Sequence, residues 1–258
     1  MLLSGKKILI VGIANEHSIA YGCAKALSDM GAELAITYQS DKAKSYVEPL
    51  LKNLNCSIFL PCDVTITGNE EGSLEYLFTE IKNKWGILHS ALHSIAFASK
   101  DDLHGKVTDS SKDGFLNAMD ISCHSFIRMA RLAEPLMSEG GSLFTMSYYG
   151  SEKVVQNYGL MGPVKAALES SVRYLASELG EKNIRVNAIS PGPLKTRAAG
   201  GIKHFEELLA LAAAKTPSHQ LVTIEQIGKA VAYLTSDDVG NSINGQTIYI
   251  DGGFNIIG

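Results

Sequence analysis

Cysteine is scarce: of 258 residues only Cys23, Cys56, Cys62 and Cys123 carry thiols, and no two of them make a CxxC pair. That excludes a disulfide framework and a zinc site built on paired cysteines. No metal ligand set is expected, and the four read as reduced, mostly buried thiols. Long apolar runs are missing too, so no segment spans a bilayer. The stretch from Met1 to Val11 passes straight into Gly12 without a signal-peptide cleavage pattern, and the expectation is a cytoplasmic protein with no membrane association. There is no excess of basic residues: 23 Lys+Arg stand against 27 Asp+Glu, a net charge of −4, which argues against nucleic acid as a partner. Linkers, repeats and low-complexity segments are also lacking. With 45% hydrophobic and 19% charged residues, the composition is that of a globular enzyme-like chain, and residues 1–258 are expected to form one domain.

What is present is a regular alternation of strand-type and helix-type patterns. Strands are expected at Lys7–Val11, Glu33–Tyr38, Ser57–Leu60, within Gly86–Ile95, and at Ser142–Met146, Ile184–Ile189 and Thr247–Ile250. Helical periodicity covers about 19–30, 41–53, 69–84, 115–137, 165–179, 204–214 and 224–234, whereas the polar stretch 99–112 has few apolar anchors and reads as loop-rich. Seven strands alternating with helices predict an α/β chain: a single-domain, Rossmann-type, doubly wound parallel sheet with helices on both faces.

Such sheets bind ligands beyond the carboxyl ends of their strands, which here are Gly12, Gln39, Asp63, Ser94, Met146 and Pro191. The first βα turn does not satisfy G-x-G-x-x-G. Gly12 can still permit close backbone approach, and Ser18 can cap the next helix while leaving amide donors for a pyrophosphate. Gln39 replaces the acidic residue usual for ribose hydroxyls. Its neutral amide leaves NADH and NADPH both open; the absence of an adjacent arginine favours NADH, and Lys42 keeps NADPH possible. Asp63 can accept a hydrogen bond from an adenine amino group or serve only as a loop carboxylate.

The stretch from Tyr148 to Lys165 holds the candidate chemistry. Lys165 follows Tyr158 by seven residues, so on one continuous helix the two would share a face to within roughly 20°. Gly162-Pro163 interrupts that span, and a helix here either begins near Gly162 or bends there.

With these residues placed, the chain resembles the short-chain dehydrogenase/reductase superfamily, and within it the bacterial, NADH-dependent type I enoyl-acyl-carrier-protein reductases. The resemblance runs from Gly12 to Asp251-Gly252-Gly253. It rests on Ser18-Ile19-Ala20-Tyr21-Gly22, Thr37-Tyr38-Gln39, Cys62-Asp63-Val64, His93-Ser94-Ile95, Arg185 to Ser190, and the Tyr148–Lys165 stretch. The superfamily's usual tyrosine, four residues before the lysine, is absent, and Met161 stands there instead. That departure speaks against a ketoacyl reductase, and the retained Tyr158 and Lys165 speak against a non-catalytic nucleotide sensor. The resemblance implies conjugate reduction of a trans-2-enoyl thioester, the last step of the fatty-acid elongation cycle, with hydride passing from NADH to C3. Tyr158 would donate to the enolate oxygen, Lys165 would hold the nicotinamide ribose, and Tyr148 would bound the cavity. Two roles stay open for Tyr158: proton transfer, or enolate stabilisation alone with solvent protonating C2.

Gly12, Ser18, Ile19, Gln39, Asp63, Val64, Ser94, Ile95, Lys165 and Thr196 would contact the cofactor. Ala96, Phe97, Leu103, Tyr148, Tyr158, Met161, Ala198, Ala199, Ile202 and Phe205 would line the acyl channel. Ala96 stands where the branch often has glycine. By the same resemblance a homotetramer is expected, with the apolar C-terminal run Ile248–Ile257 against another subunit. Residues 194–214, with Gly200-Gly201, suit a substrate-binding lid. Lys195, Arg197 and Lys203 offer a docking patch for the acidic acyl-carrier protein.

Overall fold

The computed structural model describes residues 1–194, 196 and 205–257, with Phe205 described by its backbone alone. Seven parallel strands form one sheet in the order β3-β2-β1-β4-β5-β6-β7. They are β1 (Lys7–Val11), β2 (Glu33–Tyr38), β3 (Cys56–Pro61), β4 (Ser90–His93), β5 (Gly141–Met146), β6 (Ile184–Pro191) and β7 (Thr247–Ile250). The chain runs outward from β1 to β3, then returns to β1's other edge as β4. The switch point therefore lies between β1 and β4, and a crevice opens beyond their carboxyl ends. All four residues of β4 and all eight of β6 are buried, as expected of strands covered on both faces.

Two helices start where the periodicity places them and end within one residue of it: α1 spans Ile19–Asp29 and α9 spans Ile224–Thr235. These two cover one face of the sheet, where Leu27, Ile227 and Val231 pack with Ile8 and Ile10. The other face is covered by α3 (Leu74–Trp85), α6 (Ser125–Ala133) and α7 (Met161–Leu179), through Leu77, Phe126, Leu168 and Val172. Helices α1 and α9 touch backbone to backbone: a Cβ on Gly22 would lie 2.3 Å from the Ile224 carbonyl oxygen, and one on Gly228 would lie 2.2 Å from that of Gly22. Only glycine allows that approach.

Several boundaries differ from the periodicity, each for a local reason. The helix expected from 69 begins at Leu74, because Gly72 takes a left-handed φ of +91° and the Ser73 hydroxyl then accepts the Tyr76 amide at 3.0 Å. The helix expected over 41–53 is α2 (Asp41–Val47) and then a 3-10 turn, Glu48–Asn53, in which Pro49 has no amide to continue the α ladder. The expected 115–137 helix is divided into α5 (Lys112–Met119), a π turn over Asp120–His124, and α6.

The stretch read as loop-rich contains α4 (Lys100–His104) and a 3-10 turn, Val107–Asp109. Polar caps hold it: the Asp102 carboxylate accepts the Ser99 hydroxyl at 2.5 Å and the Ser111 amide at 2.8 Å. Apolar periodicity cannot register that kind of support. Helix α7 begins at Met161, four residues before the expected start, and Pro163 falls in its first turn, where a missing amide forfeits no helical bond. Helix α8 spans Phe205–Lys215, and α10 spans Asp237–Gly240.

Candidate active site

A cleft of about 1030 Å³ opens at the carboxyl ends of the strands. Its floor is set by a close approach: Gly12, at the end of β1, has a φ of +113°, and a Cβ there would lie 2.1 Å from the Ser94 carbonyl oxygen at the end of β4. The glycine is thus required by the neighbouring strand's exit as well as by any ligand above it. Ser18 stands at the N-cap position of α1 but does not cap the helix with its side chain, contrary to expectation. Its hydroxyl instead accepts the Ala14 and Asn15 amides of the preceding turn at 3.0 and 3.1 Å. The N-terminus of α1 is left without a side chain across it, the arrangement that favours an anion.

At one end of the cleft Gln39 and Asp63 act as a pair, with Gln39 Nε2 donating to Asp63 Oδ2 at 3.3 Å. Asp63 Oδ1 accepts the Thr65 amide at 2.9 Å and its hydroxyl at 2.7 Å. Partial burial pushes the Asp63 carboxyl up, but the Thr65 and Gln39 donors together hold it below its usual range. Arg128, on α6, fixes this wall from behind, donating to the Val64 and Ile66 carbonyls at 2.8 and 3.2 Å while pairing with Glu75 at 3.1 Å.

At the other end Tyr148, Tyr158, Met161 and Lys165 converge. Tyr158 precedes α7, so it shares no helix with Lys165, and the same-face argument from seven-residue spacing does not apply. Folding of the 148–158 loop brings them together instead. The two phenol rings meet edge to face with centroids 4.8 Å apart. Burial pushes the Tyr158 phenol well above its ordinary range and Tyr148 up to about 12, so both are proton-bearing donors at neutral pH. Lys165 is buried, donates from Nζ to the Met146 carbonyl at 2.6 Å, and is pushed down to about 8 by desolvation. His93 beneath it is pushed down to about 3, first by burial and then by the Lys165 charge, and is neutral, with Nε2 2.7 Å from Ser125 Oγ.

Every expected site residue that is described lines this cleft: Gly12, Ser18, Ile19, Gln39, Asp63, Val64, Ser94, Ile95 and Thr196 along it, and Ala96, Phe97, Leu103, Tyr148, Tyr158, Met161 and Lys165 at the phenol end. Ala198, Ala199, Ile202, the side chain of Phe205, and Lys195, Arg197 and Lys203 of the expected docking patch lie outside the described residues. The cleft also collects residues that the sequence reading did not single out, among them Ser147 and Leu208. Glu169 was missed too. A glutamate four residues after Lys165, on the apolar stripe of α7, was the available signal.

The residues fit the nicotinamide dinucleotide that the resemblance implies. The Tyr148 hydroxyl is buried without a hydrogen-bond partner and can take one from a ligand in the cleft. The open N-terminus of α1 suits a pyrophosphate, and the Gln39–Asp63 pair offers polar partners for a nucleoside at the far end.

Comparison with known proteins bears on the same cleft. Residues 12–255 match the family model described as enoyl-(acyl carrier protein) reductase. The chain is 45% identical over 257 residues to an NADH-dependent enoyl-[acyl-carrier-protein] reductase of Rickettsia typhi, covering 100% of this chain and 97% of the relative. An Aquifex aeolicus enoyl-[acyl-carrier-protein] reductase (NADH) superposes with a TM-score of 0.94 at 42% identity, over 100% of both chains. The Anaplasma phagocytophilum reductase, solved in complex with NAD, superposes with a TM-score of 0.92 at 43% identity, covering 100% of this chain and 95% of its own. Sequence and fold thus agree from the Gly12 turn through the phenol–lysine end, and the chain belongs to the enoyl-(acyl carrier protein) reductase family.

Proposed function

We propose that this protein is an NADH-dependent enoyl-acyl-carrier-protein reductase whose chemistry is centred on Tyr158, Tyr148 and Lys165. The observation that carries the reading is the meeting of two proton-bearing phenols and a buried ammonium at one end of a cleft of about 1030 Å³. When bound, NADH supplies the hydride that adds to C3 of the trans-2-enoyl thioester. Negative charge then develops on the thioester oxygen, and the Tyr158 hydroxyl donates to it, a kind of interaction that accounts for a few kcal/mol per donor. Lys165 holds the nicotinamide ribose hydroxyls and keeps a positive charge beside the developing anion. Tyr148 packs on the Tyr158 ring and limits the volume in which the thioester can turn. Met161, lacking a hydroxyl, leaves the usual ketone-reducing position without a donor.

Gly12, Ser18, Ile19, Thr196, Ser94 and Ile95 contact the cofactor along the cleft, and Gln39, Asp63 and Val64 hold its adenosine end. Ala96, Phe97, Leu103 and Met161 line the acyl channel at the phenol end of the cleft. Of the 194–214 span expected to serve as a lid, α8 is the described part, and its Leu208 lines the cleft, which supports that reading. The enzyme works in the cytoplasm as a homotetramer; exposed Ile256 and Ile257 at the C-terminal end supply apolar surface for a neighbouring subunit. Purified protein mixed with NADH and crotonyl thioester should lose nicotinamide absorbance. No loss with NADH or NADPH would sink the reading, and turnover of acetoacetyl thioester in its place would make the protein a carbonyl reductase.

A further inference from the structure

Glu169 is a buried carboxylate for which the reaction scheme above has no use. It stands on α7 one turn beyond Lys165, and its residue is only 5% exposed. Its Oε1 accepts the Ser151 hydroxyl at 2.6 Å and the Ser147 hydroxyl in a still shorter bond. Those serines are the two ends of the turn that carries Tyr148, Tyr149 and Gly150. An unpaired carboxylate at such a depth would cost several kcal/mol; two hydroxyl donors satisfy this one.

The turn is pressed onto α7 from both sides. A Cβ on Gly162 would lie 3.1 Å from the Gly150 carbonyl oxygen, and one on Gly150 would lie 2.5 Å from Tyr158 Cδ1. On the outer side the Tyr149 ring rests against Tyr249 and Phe254, with centroids 6.3 and 5.7 Å away. Within this packing the only polar tie from α7's side chains to the turn, among the described residues, is the one at Glu169.

We infer that Glu169 is a positioning residue: through Ser147 and Ser151 it binds the turn bearing Tyr148 to the helix bearing Lys165, fixing phenols and ammonium in one frame. The inference rests on the enoyl-reductase reading of the cleft. Because both hydroxyls reach the same oxygen, a glutamine should hold the turn as well as glutamate, whereas leucine should not.

The test compares Glu169→Gln and Glu169→Leu by steady-state kinetics with NADH and crotonyl thioester, with thermal unfolding to verify the fold. Glu169→Leu should lower kcat about tenfold or more, the scale of a sub-ångström to 1 Å misplacement. Its KM for NADH should stay within about twofold, because the Gln39–Asp63 end is untouched, and Glu169→Gln should restore kcat to within about threefold of the parent. A folded Glu169→Leu enzyme with parental kcat would overturn the inference, as would a glutamine variant as impaired as the leucine one. Should the leucine variant not fold, Ser151→Ala replaces it; that side chain lies outside the cleft, and a parental kcat there would equally overturn the inference. Failure of the parent enzyme to turn over crotonyl thioester would instead sink the function itself.

Discussion

Gly150→Ala isolates the geometry of Tyr158 without altering any group that reacts. Gly150 lies in the 3-10 turn Tyr149–Ser151 and is not among the glycines of positive φ, so alanine can adopt its backbone. The added methyl would sit 2.5 Å from Tyr158 Cδ1, 2.8 Å from Cε1 and 3.3 Å from Tyr148 Cδ1. Carbon atoms rest at about 3.5–4.0 Å, so the Tyr158 ring must retreat by roughly 1 Å. Behind it Ala118, Leu160, Met161 and Val164 are fully packed and leave it little room. A displacement of that size costs about 10²-fold in rate, near 2.7 kcal/mol in the transition state, with about 1–3 kcal/mol lost from stability by overpacking. Steady-state NADH oxidation with crotonyl thioester, paired with a fluorescence titration of NADH, reads both ends of the cleft. The expected result is kcat/KM for the thioester reduced about a hundredfold with NADH affinity within about twofold of the parent. A folded Gly150→Ala enzyme with parental kcat/KM would refute the placement of Tyr158 as the donor to the substrate oxygen.

Tyr158→Phe removes the hydroxyl and keeps the ring, so kcat should fall by about 10²–10³ while NADH affinity holds; an undiminished kcat would mean that the thioester oxygen is stabilised elsewhere. Lys165 loses its charge as pH rises through about 8, so NADH titrations should show weakening affinity above that pH, and Lys165→Met should be weak and flat across the same range. The folding side has the opposite trend. Lys165 is pushed down from 10.5 to about 8 in the fold, so between those values the unfolded chain binds more protons and this group's contribution to stability rises with pH, a slope that urea midpoints should show for the parent and lose in Lys165→Met. Gly22→Ala would place a Cβ 2.3 Å from the Ile224 carbonyl oxygen; α1 and α9 must separate, and a urea midpoint unchanged from the parent would contradict the close crossing, which should cost about 1–3 kcal/mol.

The sequence by itself determined the sheet. β1, β2 and β7 fall at the residues their apolar runs predict. For β1 and β2 the reason is that a strand buried on both faces leaves a continuous apolar signature that needs no knowledge of its neighbours; β7, a half-buried edge strand, keeps enough of that run to be read the same way. It also placed the strand-end residues, since beyond the carboxyl ends of a parallel sheet the positions after each strand must face one crevice. Met161 was informative in the same direct way, as a side chain without a hydroxyl wherever it lies.

Tertiary structure decided everything that depends on two distant segments meeting. No pattern along the chain says that Gly12 is needed against the Ser94 carbonyl, that the Ser18 hydroxyl turns back to the Ala14 and Asn15 amides, or that Gln39 and Asp63 bond to each other. The 99–112 stretch lacks a helical signature because serine and aspartate caps, not apolar periodicity, hold α4. Most of all, the helical spacing that pairs Tyr158 with Lys165 in the sequence is not used by the fold, because α7 starts only at Met161. They meet because the 148–158 loop folds back over the start of α7, and the desolvation that keeps both phenols protonated and pushes Lys165 down to about 8 exists only once that packing is complete.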